Sequence, residues 1–343
     1  MSEHDPGHTS FTDQLLAIWP RKRWEGSIVL VAYSGGPDST ALISSLAELQ
    51  PNRQRLVAAH FNHGLRDSAS AGDQAFAKQV CRDLKIQCIV GNADQAEFKR
   101  ERRGEGWESA ARQLRYQFLV EKAEQSGARY IVTGHTRDDQ VETVLHNIIR
   151  GTGLAGLAGI PRVRCLNEAV SLVRPLLNHS RQQVLDYLQE SDLPHRLDET
   201  NLEERFTRNR IRHKLLPWLE SEFNSDVRAA LVRLSQIAAE SQASLREIAE
   251  GVLDRAIRQG DKNKVILELE PLRELSIHLR RECFVLVWQR QGWPLQSMHF
   301  HHWQQLAEST EPLSNTTLAP FPGDIQVAQT DTELQIQGPP HVN

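Results

Sequence analysis

The first half of the chain alternates between short apolar runs and longer segments with helical spacing. The runs are continuously apolar, and they lie at residues 28–32, 56–61, 86–90, 130–133 and 172–177. Strands that are covered by helices on both faces have this pattern, because every side chain is buried. Between the runs, segments 71–84 and 110–126 place apolar residues at the spacing of helices. The alternation predicts an α/β fold with a doubly wound, mostly parallel, five-stranded Rossmann-like sheet.

The pattern changes after about residue 223, where strand-like runs give way to helical spacing. Segments 227–257 and 272–288 have the apolar stripe of helices. Near the end of the chain, 324–328 and 333–337 alternate around a polar turn, which predicts a β-hairpin. The predicted parts are an N-terminal extension at 1–24, an α/β domain at 25–222 and a smaller, mainly helical domain at 223–343.

Composition and charge narrow the class of protein only slightly. A hydrophobic content of 39% and a charged content of 24% are ordinary for a globular protein. The four cysteines form no C-x-x-C pair, which favours a reducing compartment. Every apolar run is far shorter than the ~20 residues of a membrane span, and the polar, acidic start of the chain differs from a secretory signal. We therefore expect a cytoplasmic protein that makes no membrane contact.

The first candidate site is a glycine turn directly after the first apolar run. It consists of Ser34, Gly35, Gly36, Pro37, Asp38 and Ser39. Two glycines between a strand and a helix let the backbone approach an anion, and the helix start supplies N–H donors to a phosphate. Asp38 fits such an anion site when a divalent cation is shared with the phosphate. The alternative is an ordinary strand-to-helix turn that Asp or Ser caps.

The second candidate site follows the fourth apolar run, which ends at Gly134. His135, Asp138, Asp139 and Glu142 come next, at spacings of three and four that place them on one edge of a predicted helix. Three carboxylates this close raise one another's pKa unless a cation joins them, either Mg²⁺ or a substrate ammonium. The alternative, acidic residues that favour a helix N-terminus, explains the aspartates but neither the histidine nor the glutamate.

Basic residues form three further groups. His63 and Arg66 follow the second run, where a strand end is placed to touch a ligand. Arg112 and Arg115 are one helical turn apart and suit a triphosphate or a carboxylate. The densest basic cluster, at 205–214, suits a polyphosphate backbone such as that of tRNA. The alternative for each helical group is a solvated face with acidic partners.

Taken in order, the motifs resemble the tRNA(Ile)-lysidine synthetase family of N-type ATP pyrophosphatases, also called PP-loop proteins. The resemblance covers about residues 25–222. It rests on SGGPDS (34–39), NHGLR (62–66), ARQLRY (111–116), GHTRDDQVET (134–143), a glycine-rich stretch (151–159), RPLL (174–177) and RNRIR (208–212). One departure is Thr200, where the family usually has serine.

The resemblance implies ATP-dependent attachment of lysine to the wobble cytidine of the isoleucine tRNA with a CAU anticodon. The cytidine 2-oxygen attacks the α-phosphate of ATP and pyrophosphate leaves. The ε-amine of L-lysine then displaces AMP. ATP and Mg²⁺ are the implied cofactors, and the helical domain is expected to contact tRNA. The oligomeric state, including a homodimer, is left open.

The resemblance also implies a role for each candidate residue. The catalytic residues are Asp38, Arg115, His135, Asp139 and Glu142. The ATP-binding residues are Ser34, Gly35, Gly36, Pro37, Asp38, Ser39, His63, Arg66 and Gly134. Lysine would bind His135, Asp139 and Glu142, and the metal would bind Asp38 and Asp138. The tRNA would contact Arg205, Arg208, Asn209 and Arg212.

Two other functions use parts of the same pattern. A tRNA-thiolating enzyme of the same ATP-binding fold needs a cysteine persulfide or a cluster, whereas no cysteine adjoins a motif in this sequence. A non-enzymatic nucleotide-binding protein would keep the glycine turn but has no use for the histidine and carboxylate edge. ATP binding without release of pyrophosphate would favour this last function.

Overall fold

The apolar runs in the first half of the chain become strands of a single sheet. The structure is a computed structural model, and it describes residues 10–62, 67–93, 107–196, 207–260, 263–295, 297–312, 316–318 and 320–339. The chain divides into two units, Met1–Ser235 and Gln236–Asn343, and each is described by itself. The domain limits expected at residues 24 and 222 stay a prediction.

The sheet of the first unit has six strands in the spatial order β3-β2-β1-β4-β6-β5. They are β1 (Ile28–Ala32), β2 (Leu56–Asn62), β3 (Gln87–Asn92), β4 (Ala128–Val132), β5 (Val163–Cys165) and β6 (Ser171–Val173). Five strands are parallel, and β5 adds an antiparallel edge next to β6. The predicted mostly parallel sheet is confirmed, but the sheet has six strands and not the predicted five, because β5 is an exposed strand of three residues that lies in no apolar run. Because β1 pairs with β2 on one side and β4 on the other, the switch point where ligands bind lies between β1 and β4.

Helices connect and cover these strands. They are α1 (Phe11–Ile18), α2 (Pro37–Leu49), α3 (Asp67–Asp83), α4 (Trp107–Ser126), α5 (Arg137–Arg150), α6 (Leu154–Leu157), α7 (Arg181–Glu190), α8 (Thr207–Arg210), a π-helical turn (Ile211–Leu215), α9 (Leu216–Glu222) and α10 (Val227–Ala256). Short 3₁₀ turns occupy Arg21–Arg23 and Arg53–Arg55. None of the described helices is long and apolar enough to cross a bilayer.

The apolar core of the first unit lies on both faces of the sheet. Val29 and Val31 of β1 pack on one face, and Leu30 packs on the other. Successive strand side chains point to opposite faces, so a strand covered twice must be apolar throughout. Trp24, before β1, is fully buried in the same cluster as Val29. Because helices cover both faces of the sheet, its strands are apolar throughout, and this pattern allowed them to be predicted from the sequence.

Two predicted boundaries are wrong. The run at 172–177 ends as a strand at Val173, because Pro175 has no N–H to donate to a neighbouring strand. The helix expected at 272–288 is two helices, α11 (Glu270–Arg273) and α12 (Ile277–Gln291). Ser276 between them has the extended backbone of a helix N-cap.

The second unit combines helices with a small sheet. Besides α11 and α12 it contains α13 (Phe300–Glu308). Its five strands are β7 (Ile257–Gly260), β8 (Lys264–Glu268), β9 (Thr316–Thr317), β10 (Gln326–Gln329) and β11 (Glu333–Gln337), in the order β7-β8-β11-β10-β9. The predicted hairpin is confirmed as β10 and β11, which pair antiparallel. The sequence pattern did not reveal that this hairpin is part of a wider sheet, because β7 and β8 are short.

Candidate active site

The glycine turn after β1 folds back onto the start of α2. The hydroxyl of Ser39 lies 3.0 Å from that of Ser34 and accepts the Ser34 N–H at 3.2 Å. The same hydroxyl donates to the carbonyl oxygen of Gly36 at 3.0 Å. Gly35 has a φ of +90°, which glycine adopts without strain. The turn is therefore held in one shape, and the first turn of α2 presents backbone N–H groups as a phosphate site requires.

The loop after β4 passes directly against the start of α2. A Cβ added at Gly134 would lie 2.9 Å from both the carbonyl carbon and the carbonyl oxygen of Asp38, and 3.1 Å from the nitrogen of Ser39. These are backbone atoms and cannot rotate away. Gly134 thus allows the turn after β1 and the loop after β4 to meet at the switch point of the sheet.

Asp38 has a carboxylate oxygen that no described residue binds. Its Oδ2 lies 3.8 Å from Nη1 of Arg181, whereas its buried Oδ1 has no hydrogen-bond partner among the described residues. Burial raises the pKa of Asp38 to about 6, and Arg181 opposes that shift. An open carboxylate oxygen beside an anion-binding turn is the kind of donor that Mg²⁺ prefers. Asp38 therefore fits a cation shared with the phosphates of ATP.

We expect Asp38→Asn to raise the thermal midpoint of the metal-free protein at about pH 8, and much less at about pH 4. The Asp38 pKa is about 6 in the folded protein against an ordinary 3.8, so stability is lost as pH rises through this range. The neutral amide avoids that loss. Thermal unfolding across the range measures it, with the exposed Asp186→Asn as the control. Equal midpoints for wild type and Asp38→Asn at both ends would contradict the burial of this charge.

The start of α5 is built by a capping box. The carboxylate of Asp139 accepts the N–H of Thr136 at 2.8 Å and its hydroxyl at 3.2 Å. The helix therefore begins at Arg137, and the prediction that His135 lies on the helix is wrong. His135 precedes it, with Nδ1 2.8 Å from the hydroxyl of Thr133. Burial lowers the pKa of His135 to about 4, so the imidazole is neutral near pH 7.

Asp138 has both carboxylate oxygens occupied. Oδ2 accepts the backbone N–H of Arg181 at 2.8 Å, and Oδ1 accepts Nη1 of Arg228 at 3.1 Å. The described residues contain no group of three acidic, histidine or cysteine side chains placed to hold a metal ion. The arrangement favours Asp38, and not Asp138, as the carboxylate that meets a metal.

Glu142 is the most deeply buried carboxylate of the site, with 2% of its surface exposed. Its Oε1 accepts Nε of Arg212 at 2.5 Å, and its Oε2 lies 3.9 Å from Nε of Arg208. Burial raises the pKa of Glu142, and the Arg212 guanidinium opposes the shift. Nη2 of Arg212 also lies 3.9 Å from Oδ1 of Asp139. One guanidinium thus joins two of the three predicted carboxylates.

The structure brings two arginines of the basic cluster onto the carboxylates of α5. The contact of Arg208 and Arg212 with the tRNA backbone stays a prediction, and their guanidiniums face Glu142. Arg208 also donates to the hydroxyl of Thr143 at 2.7 Å. Asn209 lies on α8 between them, and its role stays a prediction. Three other predicted site residues, His63, Arg66 and Arg205, lie outside the described residues.

Sequence reasoning missed three arginines of the site. Arg181 approaches Asp38, Arg228 binds Asp138, and Arg174 is buried directly after β6. The only local signal was the RPLL motif that begins at Arg174. Arg112 and Tyr116 share a face of α4, with Nη2 of Arg112 3.5 Å from the phenolic oxygen.

The sheet order, the anion-binding turn after β1 and the acidic helix after β4 define an α/β protein built to bind ATP phosphates at its switch point. Residues 9–219 match the family model described as a PP-loop domain. The chain is 34% identical over 324 residues to the tRNA(Ile)-lysidine synthase of Rhodopirellula baltica, which covers 84% of this chain and 81% of that relative. It belongs to the tRNA(Ile)-lysidine synthase family of PP-loop proteins.

Two further comparisons set the extent of the likeness. The tRNA(Ile)-lysidine synthase of Geobacillus kaustophilus is 34% identical over 293 residues, which are 84% of this chain but 62% of that longer relative. The structure of the U34-tRNA thiolase NcsA from Methanococcus maripaludis superposes with a TM-score of 0.55 and 19% identity, over 66% of this chain and 78% of the thiolase. At this identity the second likeness concerns the fold alone.

Proposed function

We propose that this chain ligates L-lysine to the wobble cytidine of the CAU-anticodon isoleucine tRNA and converts ATP to AMP and pyrophosphate. The observation that carries the proposal is the close approach of Gly134 to the backbone of Asp38. It joins a turn suited to phosphate with the carboxylates of half-buried Asp139 and buried Glu142 in one site. Activation by ATP followed by attack of an amine needs both parts at the same place.

The first step uses the residues around the turn. The N–H groups at the start of α2 bind the phosphates of ATP, and the target cytidine presents its 2-oxygen to the α-phosphate. Mg²⁺, held through Asp38, would neutralise charge on the phosphates and the leaving pyrophosphate. Arg115 stabilises the negative charge that builds up as the phosphorus–oxygen bond breaks. The neutral imidazole of His135 is able to accept or donate a hydrogen bond here.

The second step uses the carboxylates of α5. Asp139 and Glu142 bind the ammonium of lysine, whose positive charge replaces part of that of Arg212. Burial raises the pKa of Glu142, which suits it to take the proton that the ε-ammonium must lose before attack. The amine then bonds to the 2-carbon of the cytidine, and AMP leaves with the oxygen it had activated. Arg208 and Arg212 keep the carboxylates ionised before lysine arrives.

The test is transfer of labelled lysine to tRNA. The protein is mixed with ATP, Mg²⁺, labelled lysine and the CAU-anticodon isoleucine tRNA, beside elongator methionine tRNA with the same anticodon. Label in the isoleucine tRNA alone would support the proposal and attribute tRNA selection to this chain. Release of pyrophosphate without label in either tRNA would exclude lysine as the acceptor. Sulfur incorporated from a persulfide donor would favour the thiolating alternative instead.

The proposal extends to the compartment of the protein, the role of its second unit and its oligomeric state. We also propose a cytoplasmic location, which a tRNA substrate, ATP and the four free cysteines support. We also propose that the second unit contacts tRNA. A homodimer stays a prediction that sedimentation analysis can test.

A further inference from the structure

Three arginines act through their positive charge on His135, and a fourth acts on one of these three. They are Arg112 and Arg115 of α4, Arg164 of β5 and Arg174 after β6, and they are called the arginine cluster below. The guanidinium carbons of the first two lie 5.0 and 5.7 Å from the centre of the Tyr116 ring. Arg174 donates a hydrogen bond to Tyr116, and the positive charges of Arg112 and Arg164 act on Arg174. Arg112, Arg115 and Arg174 therefore lie against Tyr116, and Arg164 lies near Arg174.

The arginine cluster lacks negative charge of its own. Among the described residues none of its members forms an ion pair with a carboxylate, whereas Arg181, Arg208, Arg212 and Arg228 all lie within 4 Å of one. Like charges this close repel one another. Burial and the neighbouring guanidiniums lower the pKa of His135, in keeping with a local excess of positive charge. An anion at this place would relieve the repulsion.

Arg174 supplies a second, independent sign of an absent ligand. Its side chain is 3% exposed, and Nη1 donates to the carbonyl oxygen of Pro161 at 2.5 Å. Its Nε is buried and has no hydrogen-bond partner within the described part of the chain. A buried guanidinium with an unused donor is costly unless an anion completes it. The geometry is that of an anchor for a phosphate or a carboxylate.

We propose that three members of the arginine cluster, Arg112, Arg164 and Arg174, bind backbone phosphates of the tRNA strand next to the nucleotide that is modified, beside Arg115 at the reacting phosphate. The proposal rests on the proposed function, since it concerns how that substrate is held. Three guanidiniums besides Arg115 exceed the charge of one lysine carboxylate but match successive phosphodiesters. Bases of single-stranded RNA stack on aromatic and arginine side chains, and here the half-buried Tyr116 lies beside Arg112 and Arg115. Arg208 and Arg212, the earlier candidates, already face Glu142.

The experiment measures the affinity for unmodified isoleucine tRNA by filter binding over about 50 to 300 mM salt. Arg112→Gln and Arg164→Gln remove exposed members of the cluster, so neither is expected to disturb folding. Each should weaken binding and reduce the slope of log affinity against log salt by about 0.7 to 0.9. Arg129→Gln, an exposed arginine near the amino end of β4, is the matched control and should leave the slope unchanged. Arg174→Lys keeps the positive charge but loses the planar guanidinium that can donate two parallel hydrogen bonds. It should weaken tRNA binding with little change in the slope of log affinity against log salt.

Two results would overturn the proposal. One is an unchanged slope in both glutamine variants. The other is weakened ATP binding with unchanged tRNA binding, which would assign the cluster to the nucleotide. The measurement of tRNA affinity needs no turnover. If the wild-type protein failed to transfer lysine, the proposed function would be wrong, but the effect of each variant on tRNA binding could still be interpreted.

Discussion

Replacing Glu142 with glutamine is expected to abolish lysine transfer while pyrophosphate release stays measurable. The amide has nearly the same shape, but it neither attracts the lysine ammonium nor accepts its proton. Loss of a positioned base alone lowers the rate by about 10²–10⁴-fold. The attack of lysine should therefore fall by about that factor, and the first step by far less. Glu142 is buried against Arg212, so its role cannot be taken over by solvent.

The two steps are followed separately in single-turnover assays of pyrophosphate and of labelled tRNA. Glu220→Gln is the matched control, because Glu220 also accepts an arginine, Nε of Arg228 at 2.7 Å, but touches neither carboxylate of the proposed lysine site. It should retain both steps. Lysine transfer by Glu142→Gln within about threefold of wild type would remove Glu142 from the mechanism. Equal loss of both steps would instead point to misfolding or to ATP binding.

Substituting alanine for Gly134 is expected to stop the ATP-dependent step. The new methyl group would lie 2.9 Å from backbone atoms of Asp38, so the loop after β4 or the start of α2 must move. Overpacking of this kind costs about 1–3 kcal/mol of unfolding free energy. A displaced α2 would also turn its N–H groups away from the phosphates, and positioning errors of about 1 Å lower rates by about 100-fold.

Urea unfolding and pyrophosphate release measure the two consequences. Gly251→Ala is the control, because Gly251 lies inside α10 and a Cβ there meets nothing within 4 Å. That substitution should stabilise the protein by roughly 0.5–1 kcal/mol, since alanine favours a helix over glycine. Wild-type stability together with wild-type pyrophosphate release in Gly134→Ala would contradict the close approach of the two loops.

Local structure could be predicted from the sequence where residues that are adjacent in the chain determine it. The residues of β1 had to be apolar throughout because helices cover both faces of that strand. The turn at 34–39 could be predicted because glycine and helix-capping residues determine the backbone conformation of their own segment. The family, by contrast, was identified by the resemblance of ordered motifs and not by any physical property of the spacing.

The sheet of the second unit could be predicted only in part from the sequence pattern. Its hairpin was recognised because β10 and β11 are adjacent and alternate in polarity. β8, which pairs with β11, lies about 70 residues earlier in the chain and is only Lys264–Glu268. β8 also pairs with β7, but β7 is only Ile257–Gly260 and follows directly on α10, so this pair gives only a weak local signal. The pairing of β8 with β11 is decided by the sheet that it completes.

The sequence by itself determined the order of strands and helices, the phosphate-binding turn and the identity of the acidic edge. Only the tertiary structure decided which charges meet. Arg212 reaches Glu142 across 70 residues of chain, and Arg228 reaches Asp138 across 90. The cause is packing: Ile211 and Leu216 share an apolar cluster with α5, and burying them turns Arg212, which lies between them, toward its carboxylates. The spacing of residues predicts which face of its helix an arginine occupies. Which other element that face meets depends on how the whole fold buries its apolar surface.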